Sequence, residues 1–135
     1  MTDASLERSA LDAARAIVDD FGANRRDAYF SHFAAEATFL FHTADRRLET
    51  RAEYEALWDQ WVRDVGFRVE ECSSTNARVQ LAGPVAIFTH DVQTRVLWDG
   101  EHQTTRERET IVLERRDARW VCIHEHLSPA DAVAA

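Results

Sequence analysis

The chain has 135 residues, of which 45% are hydrophobic and 30% are charged, so it can bury the core of one ordinary folded domain. Its net charge of −8 argues against binding to nucleic acid, because proteins that bind nucleic acid usually carry a basic surface. No apolar run approaches the roughly 20 residues of a membrane-spanning helix, and the first residues do not form a secretion signal. We therefore expect a cytoplasmic protein with no membrane partner.

The composition also limits the chemistry that the chain can perform. All 16 basic residues are arginine, which rules out a lysine Schiff base and a phosphate-loop lysine. The four glycines lie far apart, so no glycine-rich loop is available to hold a nucleotide. We therefore expect a protein that works without a cofactor.

Helical patterns dominate the start of the chain. Apolar residues recur at helical spacing over 4–21, and Gly22 is placed to end this first helix. Asn24 is placed to cap a short second helix that continues to Phe33.

A strand and a third helix follow. Residues 37–42 favour a strand. Thr50-Arg51-Ala52-Glu53 has the pattern of a capping box, in which the hydroxyl accepts from a first-turn amide and the glutamate reaches back. The helix that it opens carries a stripe of aromatic residues and ends at Gly66.

Beyond Gly66 the apolar period changes from about 3.6 to 2, which predicts β-strands. The predicted strands cover 67–73, 77–82, 85–98, 101–115 and 119–127. Asp99-Gly100 is a strong signal for a two-residue hairpin turn, and Arg116-Asp117-Ala118 indicates another tight turn. Helices followed by a run of long strands predict an α+β fold, with helices packed on one face of a curved, mostly antiparallel sheet.

Three short motifs in the last strands resemble a known superfamily. They are Glu109-Thr110, Arg116-Asp117-Ala118-Arg119-Trp120 and His124-Glu125-His126-Leu127-Ser128. Together with the element order, they resemble the nuclear transport factor 2-like superfamily and its SnoaL-like branch, which is similar to the association domain of calcium/calmodulin-dependent protein kinase II. Ala118 departs from the usual glycine of the turn.

This resemblance implies a cone-shaped, cystatin-like α+β barrel that occupies residues 1–135 as one domain, with three helices before or among the strands. It also implies a cavity between the concave sheet and the helices, and a homodimer formed through the convex sheet face. The superfamily hosts several enzyme classes and proteins without catalysis, so the fold alone does not identify an activity.

The segment His124-Glu125-His126 concentrates three titratable groups. Strand alternation places both histidines on one face with Trp120 and Cys122, and Glu125 on the other. The two histidines could hold zinc or iron with a third ligand, but hydrogen bonding at a subunit interface or sheet surface is the favoured interpretation, so we predict no metal.

Glu125 lies on an otherwise apolar strand face, so burial should raise the pKa of its carboxyl group unless an arginine pairs with it. It is either an acid/base group or ligand anchor, or part of a structural ion pair. The resemblance to the kinase domain implies that Glu125 and Leu127 face the cavity.

Strand alternation, counted back through the hairpin turns, predicts which residues of the preceding strands face the cavity with Glu125. This inner face would include Glu109 and Ile111 on one strand, and Asp91, Gln93 and Arg95 on the strand before. Asp91, Arg95, Glu109 and Glu125 would then form a mixed carboxylate and guanidinium cluster. Such a cluster could bind a polar molecule and transfer protons, or it could be a self-satisfied salt-bridge network.

Several other residues complete the candidate site. His42, at the end of the first strand, is a possible general base, although an exposed loop position is the simpler interpretation. Tyr29, Trp58 and Trp61 would supply aromatic walls, with Ile111 and Leu127 as aliphatic lining. Ser73-Ser74-Thr75 has no neighbouring base in the sequence, so we predict no serine nucleophile.

We therefore expect a small-molecule-binding, SnoaL-like protein. If it is an enzyme, it is a cofactor-free acid/base isomerase, dehydratase or cyclase, with Glu125, Asp91 and Glu109 in proton transfer and Arg95 as the orienting group. The alternative is a non-catalytic module that binds a ligand or associates with a second copy of itself.

Overall fold

The computed structural model describes residues 2–130, which form three helices and five strands. In chain order these are α1 (Asp3–Gly22), α2 (Arg26–Phe30), β1 (Phe33–Phe41), α3 (Arg51–Val65), β2 (Arg68–Ala82), β3 (Val85–Trp98), β4 (Glu101–Arg116) and β5 (Arg119–Pro129). The predicted α+β class is confirmed.

The five strands form one curled sheet in the order β1-β5-β4-β3-β2. Strand β1 runs parallel to β5, and the other neighbouring pairs are antiparallel. Helix α1 packs against β2, and α3 packs against β1, so the helices close the concave face of the sheet. None of the helices in residues 2–130 is both long and apolar enough to cross a membrane.

The hydrophobic core lies between α2, α3 and the inner face of β1. Its aromatic rings contact one another edge to face, which suits their charge distribution better than face-to-face stacking. The rings at its centre are those of Tyr29, Phe30, Phe33, Phe39, Phe41, Tyr54 and Trp58.

The turn between β3 and β4 fixes the register of the sheet. Asp99 and Gly100 both have positive φ, at 53° and 80°, and Trp98 pairs with Glu101. Two central residues in this conformation form a type I′ hairpin, as the Asp-Gly pair predicts. From this turn onward, each residue of β3 has a fixed partner on β4.

The start of α3 agrees with the predicted capping box. The Thr50 hydroxyl accepts a hydrogen bond from the Glu53 amide at 3.1 Å, and Gly66 ends the helix in the left-handed conformation. These local signals are sufficient because capping depends on residues within one turn.

The region around α2 differs from the prediction. Helix α2 ends at Phe30, and Phe33 is already the first residue of β1. Asn24 does not cap the helix: its side-chain oxygen accepts from the Val69 amide at 3.0 Å and ties the loop to β2. A long-range contact therefore replaces the local cap. The two strands predicted over 67–73 and 77–82 form the single strand β2.

Strand β5 contains an irregularity that strand alternation did not predict. Val112 pairs with His124, whereas its neighbour Leu113 pairs with Cys122, so Ile123 is an extra residue on β5. A bulge of this kind changes which face the following side chains occupy. Cys122 and Glu125 are therefore both buried on the inner side, and the predicted grouping of Cys122 with His124 was wrong.

Candidate functional site

A cavity of about 380 Å³ lies between the concave face of the sheet and the helices. Most of its wall is apolar, and its aromatic part comprises Phe21, Tyr29, Phe41, Tyr54, Trp61, Phe67 and Trp98. Three carboxylates, those of Glu107, Glu109 and Glu125, interrupt this apolar surface. A mainly apolar pocket with a few converging polar groups is typical of a site for a small organic molecule.

Glu125 is the most buried charged residue of the cavity wall, with an exposed fraction of 1%. Within residues 2–130, no group forms a hydrogen bond with its Oε1 atom. Burial raises the pKa of this carboxyl group well above its usual range, and the nearby charge of Glu109 raises it further, although a hydrogen bond from Tyr29 acts in the opposite direction. The inward orientation and the raised pKa of Glu125 agree with the sequence-based expectation.

Two tyrosines lie beside Glu125. The hydroxyl groups of Tyr29 and Tyr54 are 2.9 Å apart, and both side chains line the cavity. Burial raises the pKa of each phenol well above its usual value, and the charge of Glu125 adds to this effect. Both hydroxyl groups therefore remain protonated, and one of them donates to the other. Tyr29 was predicted as a wall residue; Tyr54 was not selected, although it begins the aromatic stripe of α3.

His42 and Glu107 form a close pair across the cavity wall. His42 follows the last residue of β1, and its Nε2 atom lies 2.5 Å from Glu107 Oε2. The Thr105 hydroxyl donates to the other carboxylate oxygen at 3.3 Å. Glu107 is 6% exposed, whereas His42 lies exposed in the turn after β1, as the simpler interpretation of its position predicted. Sequence analysis proposed His42 but missed Glu107, which shares a strand face with Glu109 by simple alternation.

Glu109 has an imidazole partner on the neighbouring strand. His90 Nε2 lies 2.7 Å from Glu109 Oε1, and His90 Nδ1 lies 2.6 Å from the Ser74 hydroxyl oxygen. A carboxylate can only accept, so the imidazole donates from Nε2 to Glu109, and its Nδ1 atom meets the Ser74 hydroxyl. The His90 side chain is fully buried. Sequence analysis did not find this imidazole, because His90 is 16 positions from Ser74 and reaches it through the pairing of β2 with β3.

The inner residues of β3 are not those that the sequence suggested. Because Asp99-Gly100 sets the register, His90 lies opposite Glu109, and Asp91 lies opposite Arg108. His90, Val92 and Thr94 consequently face inward, and the adjacent odd-numbered residues face outward. An error of one residue in register exchanges the two faces of a strand, which explains the difference.

Asp91, Gln93 and Arg95 therefore lie on the outer face of the sheet. Asp91 contacts Arg108 at 3.9 Å, and Arg95 contacts Glu70 at 3.5 Å, with about half of each side chain exposed. Gln93 accepts a hydrogen bond from Arg106 at 3.2 Å. The predicted cluster of Asp91 and Arg95 with Glu109 and Glu125 was wrong.

The predicted apolar lining divides into two groups. Trp61 and Leu127 line the cavity. Trp58 and Ile111 are fully buried behind its wall, Trp58 against the ring of Phe67 and Ile111 opposite Glu125. These two residues support the wall without being exposed to a ligand.

The two histidines of β5 lie on the outer side of the sheet. His124 Nδ1 is 2.8 Å from the Thr38 hydroxyl, and the His124 and His126 rings are 6.4 Å apart. Burial lowers the pKa of His124, and the neighbouring charge of His126 lowers it further. Among residues 2–130, no three side chains of the metal-binding types converge at this pair or elsewhere.

Comparison with known proteins gives a family and a fold. The SnoaL-like domain family matches residues 11–132. No curated protein sequence is detectably similar to the chain. The association domain of CaMKII (calcium/calmodulin-dependent protein kinase II) from C. elegans has a similar structure, with a TM-score of 0.71 and 18% identity over 93% of this chain and 97% of that one.

Two bacterial structures are also similar. One is a proposed dehydratase of the NTF2-like (nuclear transport factor 2-like) family from Streptomyces avermitilis, with a TM-score of 0.76 and 15% identity over 97% of this chain and 100% of that one. The other is an NTF2-like protein with a cystatin-like fold from Novosphingobium aromaticivorans, with a TM-score of 0.72 and 14% identity over 97% and 86% of the two chains. At these identities the likeness establishes the fold alone. The family match covers nearly the whole sequence, and the chain therefore belongs to the SnoaL-like domain family of the NTF2-like superfamily.

Proposed function

We propose that the cavity binds a small organic molecule and that the protein catalyses a proton transfer on it without a cofactor, in an isomerisation, dehydration or cyclisation. The observation that carries this proposal is Glu125, a fully buried carboxyl group in the cavity wall with one oxygen unpartnered among residues 2–130. A buried polar atom without a partner is costly, so a ligand that reaches it gains a strong hydrogen bond.

Glu125 is suited to act as the proton donor. Its raised pKa keeps the carboxyl group protonated at pH values where an exposed glutamate is ionised. A neutral carboxyl group can donate to a carbonyl oxygen or to a departing hydroxyl group. The Tyr29 hydroxyl, which hydrogen-bonds with Glu125 and Tyr54, holds the carboxyl group in place at this end of the cavity.

Glu107, held by His42, is suited to accept the proton. The His42 Nε2–H group donates to Glu107 Oε2 at 2.5 Å, which orients the carboxylate and leaves its other lone pairs free to accept a proton from a ligand. Glu107 and Glu109 are neighbours on one face of β4 and are therefore about 6–7 Å apart along the strand. Glu109, fixed by His90, is the negative charge that helps to keep Glu125 protonated.

The fold is compatible with this reaction class. The structural neighbour from Streptomyces avermitilis is a proposed dehydratase, and dehydration needs one group that removes a proton and one that protonates the leaving hydroxyl. Glu107 and Glu125 would divide these two tasks. Glu109, which the sequence also suggested for proton transfer, has instead the supporting electrostatic role.

The proposal is tested by proton exchange in D2O. Proton NMR follows deuterium incorporation next to the carbonyl group, and loss of water, in a panel of aryl ketones and β-hydroxy ketones. We expect turnover by the wild type and a loss of about 10²-fold or more in Glu125→Gln and Glu107→Gln. Glu101→Gln is the matched control, because Glu101 is exposed on the β3–β4 hairpin. Binding of panel members without exchange would support a non-catalytic ligand-binding protein instead.

We also propose that the chain associates with a second copy through the outer face of the sheet. Leu40, Ile87 and Val112 are half-buried apolar residues on this face, and Ile87 lies directly opposite Val112. The similarity to the CaMKII association domain favours self-association. Light scattering should give a dimer for the wild type and a monomer for Val112→Glu, with Val62→Glu on α3 as the control. A wild-type monomer at tens of micromolar would contradict this arrangement.

A further inference from the structure

Among residues 2–130, the charged side chains of the cavity wall are all acidic. The wall in the described part of the chain contains the carboxylates of Glu107 and Glu109, the protonated carboxyl group of Glu125, and no arginine, lysine or histidine side chain. The chain has 16 arginines, and those with ion pairs in residues 2–130 make them on the outside of the fold. A ligand with a carboxylate or phosphate group would therefore be repelled, since nothing in the wall balances its charge.

The two carboxylates are fixed by imidazole and hydroxyl groups rather than by guanidinium groups. Glu107 is held by His42 at 2.5 Å and by the Thr105 hydroxyl, and Glu109 is held by His90 at 2.7 Å. Both point from β4 into the same space, in a wall of low polarity. Such a setting strengthens the attraction between a carboxylate and a bound cation, because little water screens it.

Aromatic rings form the part of the wall toward the β3–β4 hairpin. Trp61, Phe67 and Trp98 pack edge to face, with ring centroids 5.4, 5.8 and 6.0 Å apart. All three line the cavity. Glu107 pairs with Val92 on β3, well before Trp98 at the end of that strand, so these rings lie along the sheet from the carboxylates and are suited to pack against the apolar body of a ligand.

We propose that the cavity selects a ligand that carries a positively charged nitrogen, a tertiary or quaternary amine, on an apolar body. The nitrogen lies beside the carboxylates of Glu107 and Glu109, and the apolar body extends toward the rings of Trp61 and Trp98. The apolar body fills the remainder of the space of about 380 Å³. The proposed preference for a cation rests on the proposed function, in which this cavity binds the substrate.

The inference is tested with three probes of the same shape and different charge. They are benzyltrimethylammonium, the uncharged neopentylbenzene, in which carbon replaces nitrogen, and the anion phenylmethanesulfonate. Binding is followed by tryptophan fluorescence, because Trp61 and Trp98 line the cavity. We expect the cation to bind at least about tenfold more tightly than its uncharged isostere, and the anion not to bind.

Substitutions test which residues cause the preference for the cation. Glu107→Gln should weaken binding of the cation at least about fivefold and leave binding of neopentylbenzene unchanged, and Glu101→Gln should change neither. If Glu107→Gln does not fold, Glu109→Gln provides the same test, since it also removes a carboxylate from the cavity wall. Equal or tighter binding of the uncharged or anionic probe, or no binding of the cation, would overturn the inference. Proton exchange in D2O is measured separately. A cavity without preference for the cation is therefore distinguishable from a cavity without catalysis.

Discussion

Glu125 on β5 lies directly opposite Ile111 on β4, so a carboxyl group with 1% exposure has an aliphatic side chain as its cross-strand neighbour. Burial is the main reason that its pKa is raised. Folding therefore favours the protonated form of Glu125, and the stability of the protein must depend on pH through this residue.

The sign of this dependence follows from the direction of the shift. Below the ordinary pKa near 4.5, Glu125 is protonated in both folded and unfolded chains and has no effect. As pH rises above this value, the unfolded chain loses the proton first, so the free energy of unfolding falls by about 1.4 kcal/mol per pH unit until the folded pKa is reached. Glutamine has no proton to lose, so Glu125→Gln should gain stability relative to the wild type over this range.

Urea unfolding of wild type and Glu125→Gln at intervals from pH 4 to pH 8 measures the difference. Taking the difference between the two proteins removes the contribution of all other titrating groups that the substitution leaves unchanged. Glu101→Gln should follow the wild type at every pH. A constant difference between wild type and Glu125→Gln across the range would show that Glu125 has an ordinary pKa in the folded state.

The signals that succeeded in the sequence were local ones. Thr50 as a cap, Gly66 as a helix end and Asp99-Gly100 as a hairpin each act within a few residues, and the structure has all three. Glu125 was placed on the inner side for a partly wrong reason. Its orientation depends on the extra residue Ile123, whose presence cannot be deduced without knowing which strand pairs with β5.

The partners of the carboxylates were beyond sequence reasoning. His42 is 65 positions from Glu107, and only the parallel pairing of β1 with β5 brings them to one wall. His90 and Asp91 were exchanged because one residue of register separates the two faces of β3. Sequence reasoning thus identified most of the elements and two of the three inward glutamates, Glu107 being the exception, whereas the pairing of imidazole with carboxylate depends on long-range topology.

His90 should stabilise the fold through its two hydrogen bonds. Its buried ring joins Glu109 at 2.7 Å and Ser74 at 2.6 Å. His90→Phe keeps a ring against Phe88 but removes both hydrogen bonds. We therefore expect a loss of about 1–3 kcal/mol in the free energy of unfolding. Urea unfolding of the single variants and of the double variant with Ser74→Ala forms a cycle. A coupling energy of about 0.5–1.5 kcal/mol is expected, and a value near zero would mean that the contact with Ser74 contributes nothing.

The two cysteines should be unreactive in the folded protein. Burial raises the pKa of Cys72 to about 12, and burial also raises that of Cys122 well above its usual value. The thiolate is the reactive form of cysteine. With a pKa of about 12, the Cys72 thiol is ionised at pH 8 in only about one molecule in ten thousand. Mass spectrometry after iodoacetamide treatment at pH 8 should show no modification of native protein and two modifications in guanidinium chloride. Rapid labelling of native Cys72 would contradict the assigned burial.

A glycine in the turn between β4 and β5 should stabilise the folded protein. Asp117 and Ala118 have φ of 49° and 62°, and Arg116 pairs with Arg119, so this is another two-residue hairpin turn with both central residues in the left-handed region. Ala118 bears a Cβ atom that this conformation disfavours, whereas glycine adopts it freely. Ala118→Gly should therefore raise the free energy of unfolding by about 1 kcal/mol, observed as a higher midpoint in urea. Ala77→Gly is the matched control, because Ala77 lies in strand β2 without positive φ, and there the added flexibility should lower stability. If both substitutions lowered the midpoint equally, Ala118 would not occupy the left-handed conformation in solution.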